Sequence, residues 1–448
     1  MKILLVSSIV LLALLIASPA LALDRQPNPD YRARRQALAA KLDNGIVILF
    51  AGTESEGPNA IYGFRQDDNF YYLSGWAEPG AALLIAPAMP AGNGRPAHPY
   101  TEVLFLPSHN LPQERWTGPK LGPEDPKAPS ITGFDRVEPL DRLHDVAVEF
   151  SPQPRPRIYS DLPSFEEPSN STTSLAWLER SNSFPGLATF QDVKPLLASL
   201  RTVKDAGEIE LIRKATDASI AAHLAAMKAV KPGVSEREIS ALMQYEWGKR
   251  GCERPAYAPI VGSGFNSTLL HYSADAATMQ AGDVVVIDAA GEFSMYASDI
   301  TRTLPINGKF TPRQREIYDI VQGAQQAAIA AYKPGVSNLR RDDPNSLYKA
   351  AYDYINTHGK DLHGQPLGQY FIHGLSHYVG LNVHDAGDYD VPLAPGMVFT
   401  VEPGIYIPEE KLGVRIEDVV YIGKDGKLVN PTAALPHTAD DVEKAMAK

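Results

Sequence analysis

Residues 283–306 read DVVVIDAAGEFSMYASDITRTLPI. The uninterrupted apolar run Val284–Ile287 has the pattern of a strand buried on both faces, and it ends on Asp288. A second strand-like stretch, 297–306, carries Asp299, and Gly291 lies between the two where a turn is expected. A hairpin there sets Asp288 beside Asp299. Further on, VFTVEPGIYI (398–407) carries Glu402 and is broken by Pro403-Gly404. GVRIEDVVYI (413–422) alternates, so Arg415 and Glu417 share one face while Val414 and Ile416 share the other.

Each acid alone reads as an ordinary polar residue, because acids are mostly exposed. Asp288 could cap a turn, Asp299 could pair with Arg302, and Glu417 could face solvent. As a set they differ: Asp288, Asp299, Glu402 and Glu417 interrupt the most apolar segments of the C-terminal half. Buried carboxylates are usually paired or bind a metal, and the nearby basic residues are too few to pair them all. Two divalent cations sharing bridging carboxylates would balance the set, with a histidine completing it. HGLSHYVGLNVHD (373–385) holds three of the chain's eleven histidines. His373 and His377 have the spacing of the zinc motif H-E-x-x-H, but Gly374 stands where its glutamate would be. One of the three can be a ligand, which leaves two to face a substrate. Oxygen-rich ligation with one imidazole suits manganese, cobalt or zinc.

The chain has 448 residues, which favours two domains. Its net charge of −11 argues against a nucleic-acid partner. Residues 1–22, MKILLVSSIVLLALLIASPALA, show one lysine, an apolar run and Ala20-Leu21-Ala22, the pattern of a cleaved signal peptide. Ser18-Pro19 ends the run before the ~20 residues that span a bilayer. The expectation is export to the periplasm or outside the cell, with no stable membrane anchor after cleavage. Cys252 is the only cysteine, so no intrachain disulfide forms, and it reads as a small buried hydrophobe.

Four segments read as short strands: GIVILF (45–50), FYYLSG (70–75), AALLIAP (81–87) and TEVLFLP (101–107). Residues 112–172 read as loops over one or two helices. Residues 196–230 read as helical until Lys231-Pro232-Gly233 stops them, and the domain boundary is placed near 195–200. KPGVS occurs at 231–235 and again at 333–337, each time after an alanine-rich helix. This points to a duplicated α/β unit with a site between its halves.

The ordered residues Asp288, Asp299, His377, Glu402 and Glu417, in IDAAGEFSMYASDITRT, HGLSHYVGLNVHD, VEPGIYI and GVRIEDVV, resemble the metallopeptidase family of aminopeptidase P, prolidase and methionine aminopeptidase. FRQDDNFYYLSGWAEPGAALLI (64–85) and RWTGPKLGPE (115–124) are similar to the creatinase-like N-terminal domain, which methionine aminopeptidases lack. The resemblance implies an α+β protein of two domains. A creatinase-like α/β domain would cover 24–197, and a pita-bread catalytic domain, a duplicated α/β unit, would cover 198–448. It also implies roles. Asp288 would bind one metal through both oxygens, Asp299 and Glu417 would bridge two metals, and His377 and Glu402 would complete the ligands of the second metal. Glu402 would also move a proton. His271 would contact substrate near the metals, His373 and His384 would bind substrate and steady the tetrahedral intermediate, and Tyr257 would line the pocket. Arg415 would orient a metal-bound carboxylate, with Tyr406 in support. The family's D-A-G is here Asp288-Ala289-Ala290-Gly291, with the glycine shifted by one. The implied function is an exported aminopeptidase that uses two divalent ions, manganese first and cobalt or zinc as alternatives. It would release the first residue from peptides with proline second, and would work as a homodimer or higher homo-oligomer. The alternatives are a prolidase cutting Xaa-Pro dipeptides and a non-catalytic peptide-binding protein on the same fold.

Overall fold

A computed structural model describes residues 23–43, 45–54, 61–91, 97–151, 157–162 and 188–447. The expected signal peptide, 1–22, lies outside the described residues. The N-terminal half is built on one six-stranded sheet: β1 (Ile46–Phe50), β2 (Ala82–Ala86), β3 (Thr101–Leu106), β4 (Arg136–Pro139), β5 (Arg157–Ser160) and β6 (Thr189–Asp192), in the order β4-β3-β2-β1-β5-β6. The three central strands run antiparallel, and β4, β5 and β6 join in parallel. Both faces are covered, which is why the central strands read as continuous apolar runs. Ile46, Ile48, Leu84, Val103 and Phe105 pack against the helix Leu143–Phe150. On the other face Val47, Leu49, Leu83 and Ile85 meet Leu38 and Phe70, and this core continues into the C-terminal half through Tyr296, Val379, Leu381 and Val398.

One expected strand is a helix. FYYLSG lies in the helix Asp68–Ser74. Its ends explain the difference: the Asp67 side chain accepts from the Phe70 amide, and Gly75 closes the helix at φ 60. Every residue from Phe70 to Ser74 is buried, so the aromatic run marks burial and not a strand period. Residues 112–151 hold more regular structure than expected, with helices at Leu111–Thr117, Ala128–Thr132 and Leu143–Phe150 besides strand β4.

The C-terminal half contains the stretch 283–306. After β7 (Arg254–Pro255) and β8 (Ile260–Ser263), β9 (Val284–Asp288) pairs antiparallel with β12 (Thr301–Pro305), placing Asp288 opposite Thr301. The connection is longer than a turn at Gly291. β10 (Gly291–Phe293) and β11 (Tyr296–Ala297) form an inner hairpin that reverses at Ser294-Met295, with φ 49 and 75. Gly291 is a strand residue facing Pro255. A Cβ there would lie 2.8 Å from Cys252 Sγ and 3.0 Å from Trp247 Cγ, so the glycine serves close packing. Cys252 itself is buried and unbridged, as expected.

The second half repeats this plan. β13 (Val398–Val401) pairs with β16 (Asp418–Ile422), which also pairs with β17 (Leu428–Val429). Between β13 and β16 the inner hairpin of β14 (Gly404–Ile407) and β15 (Leu412–Arg415) is inserted. GVRIEDVVYI is thus two strands, broken at Ile416-Glu417. Each half also carries a helix pair, Ala206–Ala229 with Glu236–Gly248 and Pro312–Ala331 with Leu347–His358. Both KPGVS copies follow the first helix of a pair, with Gly233 and Gly335 at φ 88 and 68. Ser235 directly caps the next helix, whereas the second copy needs a further loop before Ser346 does so.

One buried ion pair holds the N-terminal sheet to its covering helices. Arg35 and Glu102 are both fully buried, joined by bonds of 2.8 and 2.9 Å, and Arg35 also donates to the carbonyls of Leu73 and Gly133. Removing Arg35 leaves the Glu102 charge buried with only Arg32 at 3.4 Å and the Tyr100 hydroxyl at 2.6 Å to meet it. Arg35→Ala is expected to cost about 3–5 kcal/mol in denaturant unfolding. A loss below ~1 kcal/mol, the value of an exposed pair, would contradict this.

Candidate metal centre

The duplicated plan puts the acids at matching positions. Asp288 ends β9, and Glu402 directly follows β13. Asp299 lies just before β12, and Glu417 just before β16. The halves are joined at this point: the Glu417 amide donates to the Thr301 carbonyl at 3.1 Å, and the Arg415 amide donates to Thr303 Oγ1 at 3.0 Å. The four carboxylates therefore converge on one seam.

Their partners are few and specific. The Tyr257 hydroxyl lies 2.6 Å from Asp288 Oδ1 and 2.6 Å from Asp299 Oδ1. A phenol has one proton, so it satisfies one of these oxygens at a time. Arg415 Nη2 donates to Asp288 Oδ2 at 2.7 Å and Nη1 to the Tyr406 hydroxyl at 2.8 Å. Thr301 Oγ1 donates to Glu417 Oε2 at 2.6 Å, while Glu417 Oε1 is buried with no hydrogen-bond partner among the described residues. His377 Nδ1 faces the Tyr378 carbonyl at 3.1 Å, which makes it the N–H nitrogen. Nε2 is left directed between Asp299 Oδ2, at 3.4 Å, and Glu402 Oε1, at 3.2 Å. Thr400 Oγ1 donates to Glu402 Oε1 at 3.0 Å. Arg302 pairs with Asp418 at 2.8 Å, not with Asp299, and its Nη1 holds the backbone carbonyls of Glu417 and Thr301 at 2.7 and 2.9 Å.

The charges show what is missing from this balance. Burial, with the neighbouring acids, raises Asp299 and lifts Glu417 well above the usual carboxylate range. Burial also raises Glu402, to about 7. Burial alone would lower His377, but the hydrogen bond to Asp299 and the nearby Glu402 hold it at about 9. One guanidinium faces four carboxylates. Divalent cations would relieve that repulsion, and ligand atoms of Asp299, His377 and Glu417 lie within 4.8 Å of one another. Asp288 and Glu402 flank that trio. The donor set of carboxylates with one imidazole, and the orphaned Glu417 oxygen, fit a metal site of the hard, oxygen-rich kind.

Beside this cluster lies a cavity of about 520 Å³, lined by Tyr257, Ile260, Leu270, His271, His373 and His384 together with the acids. His373 Nε2 sits 2.8 Å from the Tyr406 hydroxyl, and burial lowers its basicity to about 4, so the ring is neutral at pH 7. The His384 ring meets the His377 ring edge-on, with centroids 4.2 Å apart. His271 lies on a loop tied to the buried Glu236, which accepts from the Ser263 amide, the Tyr272 hydroxyl and the Ala277 amide at 2.8, 2.9 and 2.7 Å. All the residues singled out in the sequence thus meet at one place. Thr301, Thr400 and Glu236 were missed. The two threonines carried a signal: each lies two residues from an acid in strand-like sequence, which puts both side chains on one face. Glu236 carried none, because its partners are brought to it by the fold.

Residues 210–424 match Metallopeptidase family M24, and residues 31–159 match Aminopeptidase P, N-terminal domain. Fold and site together define a metal-dependent peptidase with a pita-bread catalytic domain. The chain is 34% identical to the Xaa-Pro aminopeptidase of Escherichia coli (strain K12), over 93% of this chain and 97% of that protein. The solved structure of proline aminopeptidase P II from Yersinia pestis superposes with a TM-score of 0.80 at 32% identity, covering 94% of this chain and 99% of that one. Escherichia coli aminopeptidase P with the inhibitor Pro-Leu gives 0.79 at 31% identity, covering 94% and 98%. The chain belongs to the Xaa-Pro aminopeptidase (aminopeptidase P) family of metallopeptidases.

Stripped of divalent ions, the protein is expected to lose stability as pH rises. Glu402 is raised from 4.5 to about 7, so the stability it lends is full below 4.5 and lost through about 7. His377 is raised from 6.5 to about 9 and loses its contribution across that higher window. Both act in one direction. Below pH 6.5 the buried histidines lowered to about 4, His223, His373 and His384, act the other way, so the Tm of the metal-free protein should fall from about pH 7 to about pH 9, and saturating manganese should flatten the profile, because a ligand of the folded state stabilises it. A metal-free Tm that rises over this range would contradict the reading.

Proposed function

We propose that this chain is an Xaa-Pro aminopeptidase that holds two divalent ions through Asp288, Asp299, His377, Glu402 and Glu417. The observation that carries the reading is the convergence of these five donors on a cavity that also presents His271, His373 and His384. Oxygen-dominated ligation favours manganese, with cobalt or zinc as alternatives. Bound there, a pair of divalent ions supplies a nucleophilic water near neutral pH and polarises the scissile carbonyl.

The chain's own residues do the rest. Arg415 and Thr301 fix the orientation of Asp288 and Glu417. Glu402 keeps an edge open to the cavity, 3.8 Å from His373 Nδ1, and is placed to carry a proton to the leaving nitrogen. His384 is positioned to donate to the developing oxyanion, while His373, with Nδ1 on the Gly374 carbonyl and Nε2 on the Tyr406 hydroxyl, lines the cavity. The nitrogen of an Xaa-Pro bond bears no hydrogen, so the substrate must be recognised by shape around the ring. Tyr257, Ile260 and Leu270 offer apolar surface for it. Proline-containing peptides as substrates are supported by the Pro-Leu complex of the Escherichia coli relative. Self-association as a homodimer or higher oligomer belongs to this reading as what the resemblance to the family implies. Export to the periplasm or medium is supported by the sequence of residues 1–22.

Protein stripped with chelator and resupplied with manganese should release alanine from Ala-Pro-Ala and leave Ala-Ala-Ala intact. Cleavage of Ala-Pro alone would instead make it a prolidase, and turnover of neither would leave a peptide-binding protein. N-terminal sequencing of protein from the producing cells should begin at Leu23. An intact Met1 on the bulk of it would overturn export.

A further inference from the structure

Among the described residues the His384 ring has no hydrogen-bond partner, and its close ring neighbour is His377. The direction of this imidazole is therefore set by the backbone of its loop, residues 380–388. That loop is held from both domains. Arg65 Nη2 donates to the Leu381 carbonyl at 2.5 Å. Asn382 Nδ2 donates to Asp68 Oδ2 at 3.3 Å, and Asn382 Oδ1 accepts the His384 amide at 3.1 Å. On the far side of His384, buried Asp385 is paired with Lys204 at 2.9 Å and with Arg201, which in turn donates to Asn69 Oδ1 at 2.7 Å. Arg65 is itself locked, with bonds of 2.7 Å to Asp68 Oδ1 and 2.7 Å to Glu292 Oε2. Apolar packing reinforces the contact, since Leu381 and Val379 share a core with Phe70 and Leu73.

We infer that Arg65 and Asp68, at the start of the N-terminal helix Asp68–Ser74, are positioning residues for His384. The N-terminal domain holds this loop at the Leu381 carbonyl and the Asn382 side chain, while the catalytic half holds it through Asp385, which also accepts the Asn382 amide at 3.3 Å, so the direction of the substrate-facing imidazole depends on both. The inference rests on the reading of His384 as a substrate contact. Neither residue touches the cavity, so neither should alter ground-state binding greatly. Their effect should be on turnover, and should vanish when the imidazole they aim is removed.

The test is a double-mutant cycle in the full-length, manganese-loaded protein. Arg65→Ala should lower kcat on Ala-Pro-Ala by roughly 10- to 100-fold, as sub-ångström to ångström misplacement of a catalytic group does. KM should change by less than about threefold, since uniform binding is untouched. Added to His384→Ala, the same change should cost less than about twofold. Independent, multiplying losses would overturn the inference. Asn382→Ala, at an exposed position, removes the Asp68 tether and the side-chain bond to the His384 amide without disturbing the buried pairs or the Arg65 bond to the Leu381 carbonyl, and should reproduce the pattern in weaker form if Arg65→Ala does not fold. Amide exchange gives a readout that needs no turnover. Residues 381–388 should exchange roughly tenfold faster in the variant while 284–303 stay unchanged. Unchanged exchange at 381–388 would reject the inference even in a protein with no Xaa-Pro activity, and absent activity with accelerated exchange would reject only the proposed function.

Discussion

Four carboxylates share one seam with a single guanidinium, and much of the C-terminal half is arranged around that fact. Bringing Asp288, Asp299, Glu402 and Glu417 together in a poorly solvated place is unfavourable in the absence of compensating charge. The neighbours supply what neutral groups can: Tyr257, Thr301 and Thr400 each donate to an acid, and Arg415 covers one oxygen of Asp288. One oxygen of Glu417 still has no partner among the described residues. The large apolar core of this half, from Trp247 to Phe399, stabilises the fold that enforces this crowding. Such a site is poised for cations because the folded chain has already met the cost of gathering the ligands.

Duplication explains how so few residues suffice. Each half is a pair of helices followed by an antiparallel strand pair with an inner hairpin between its strands. Each half places one acid at the exit of its first strand and one at the entrance to its last. Two copies facing each other therefore supply four carboxylates in a paired arrangement, and His377, held through Tyr378 and Thr400, is the imidazole that joins them without a matching partner from the first half among the described residues.

Much of this was legible in the sequence, for physical reasons. An acid at the end of a run such as Val284–Ile287 stands out because burial makes it costly, and the set of such acids identified the site. KPGVS marked the repeat because a helix stop followed by an N-cap serine is local chemistry. What failed was the reading of reversals and of short aromatic segments. Gly291 looked like the turn, but tight packing against Cys252 and Trp247 is its role, and Ser294-Met295 turn instead. FYYLSG has the composition of a strand, and only its caps, Asp67 and Gly75, show that it is a helix. Contacts between domains were not legible at all, because Arg65 and Leu381 meet across 316 residues of chain.

The central claim is that the seam holds two divalent ions at once. The most direct measurement is the number of manganese ions bound per chain at saturation, determined by titration and elemental analysis on wild type and on Asp299→Asn. Two ions for wild type, falling to one or none when the bridging carboxylate is neutralised, is the expected result. A single ion in wild type, or a count that Asp299→Asn leaves at two, would contradict the account.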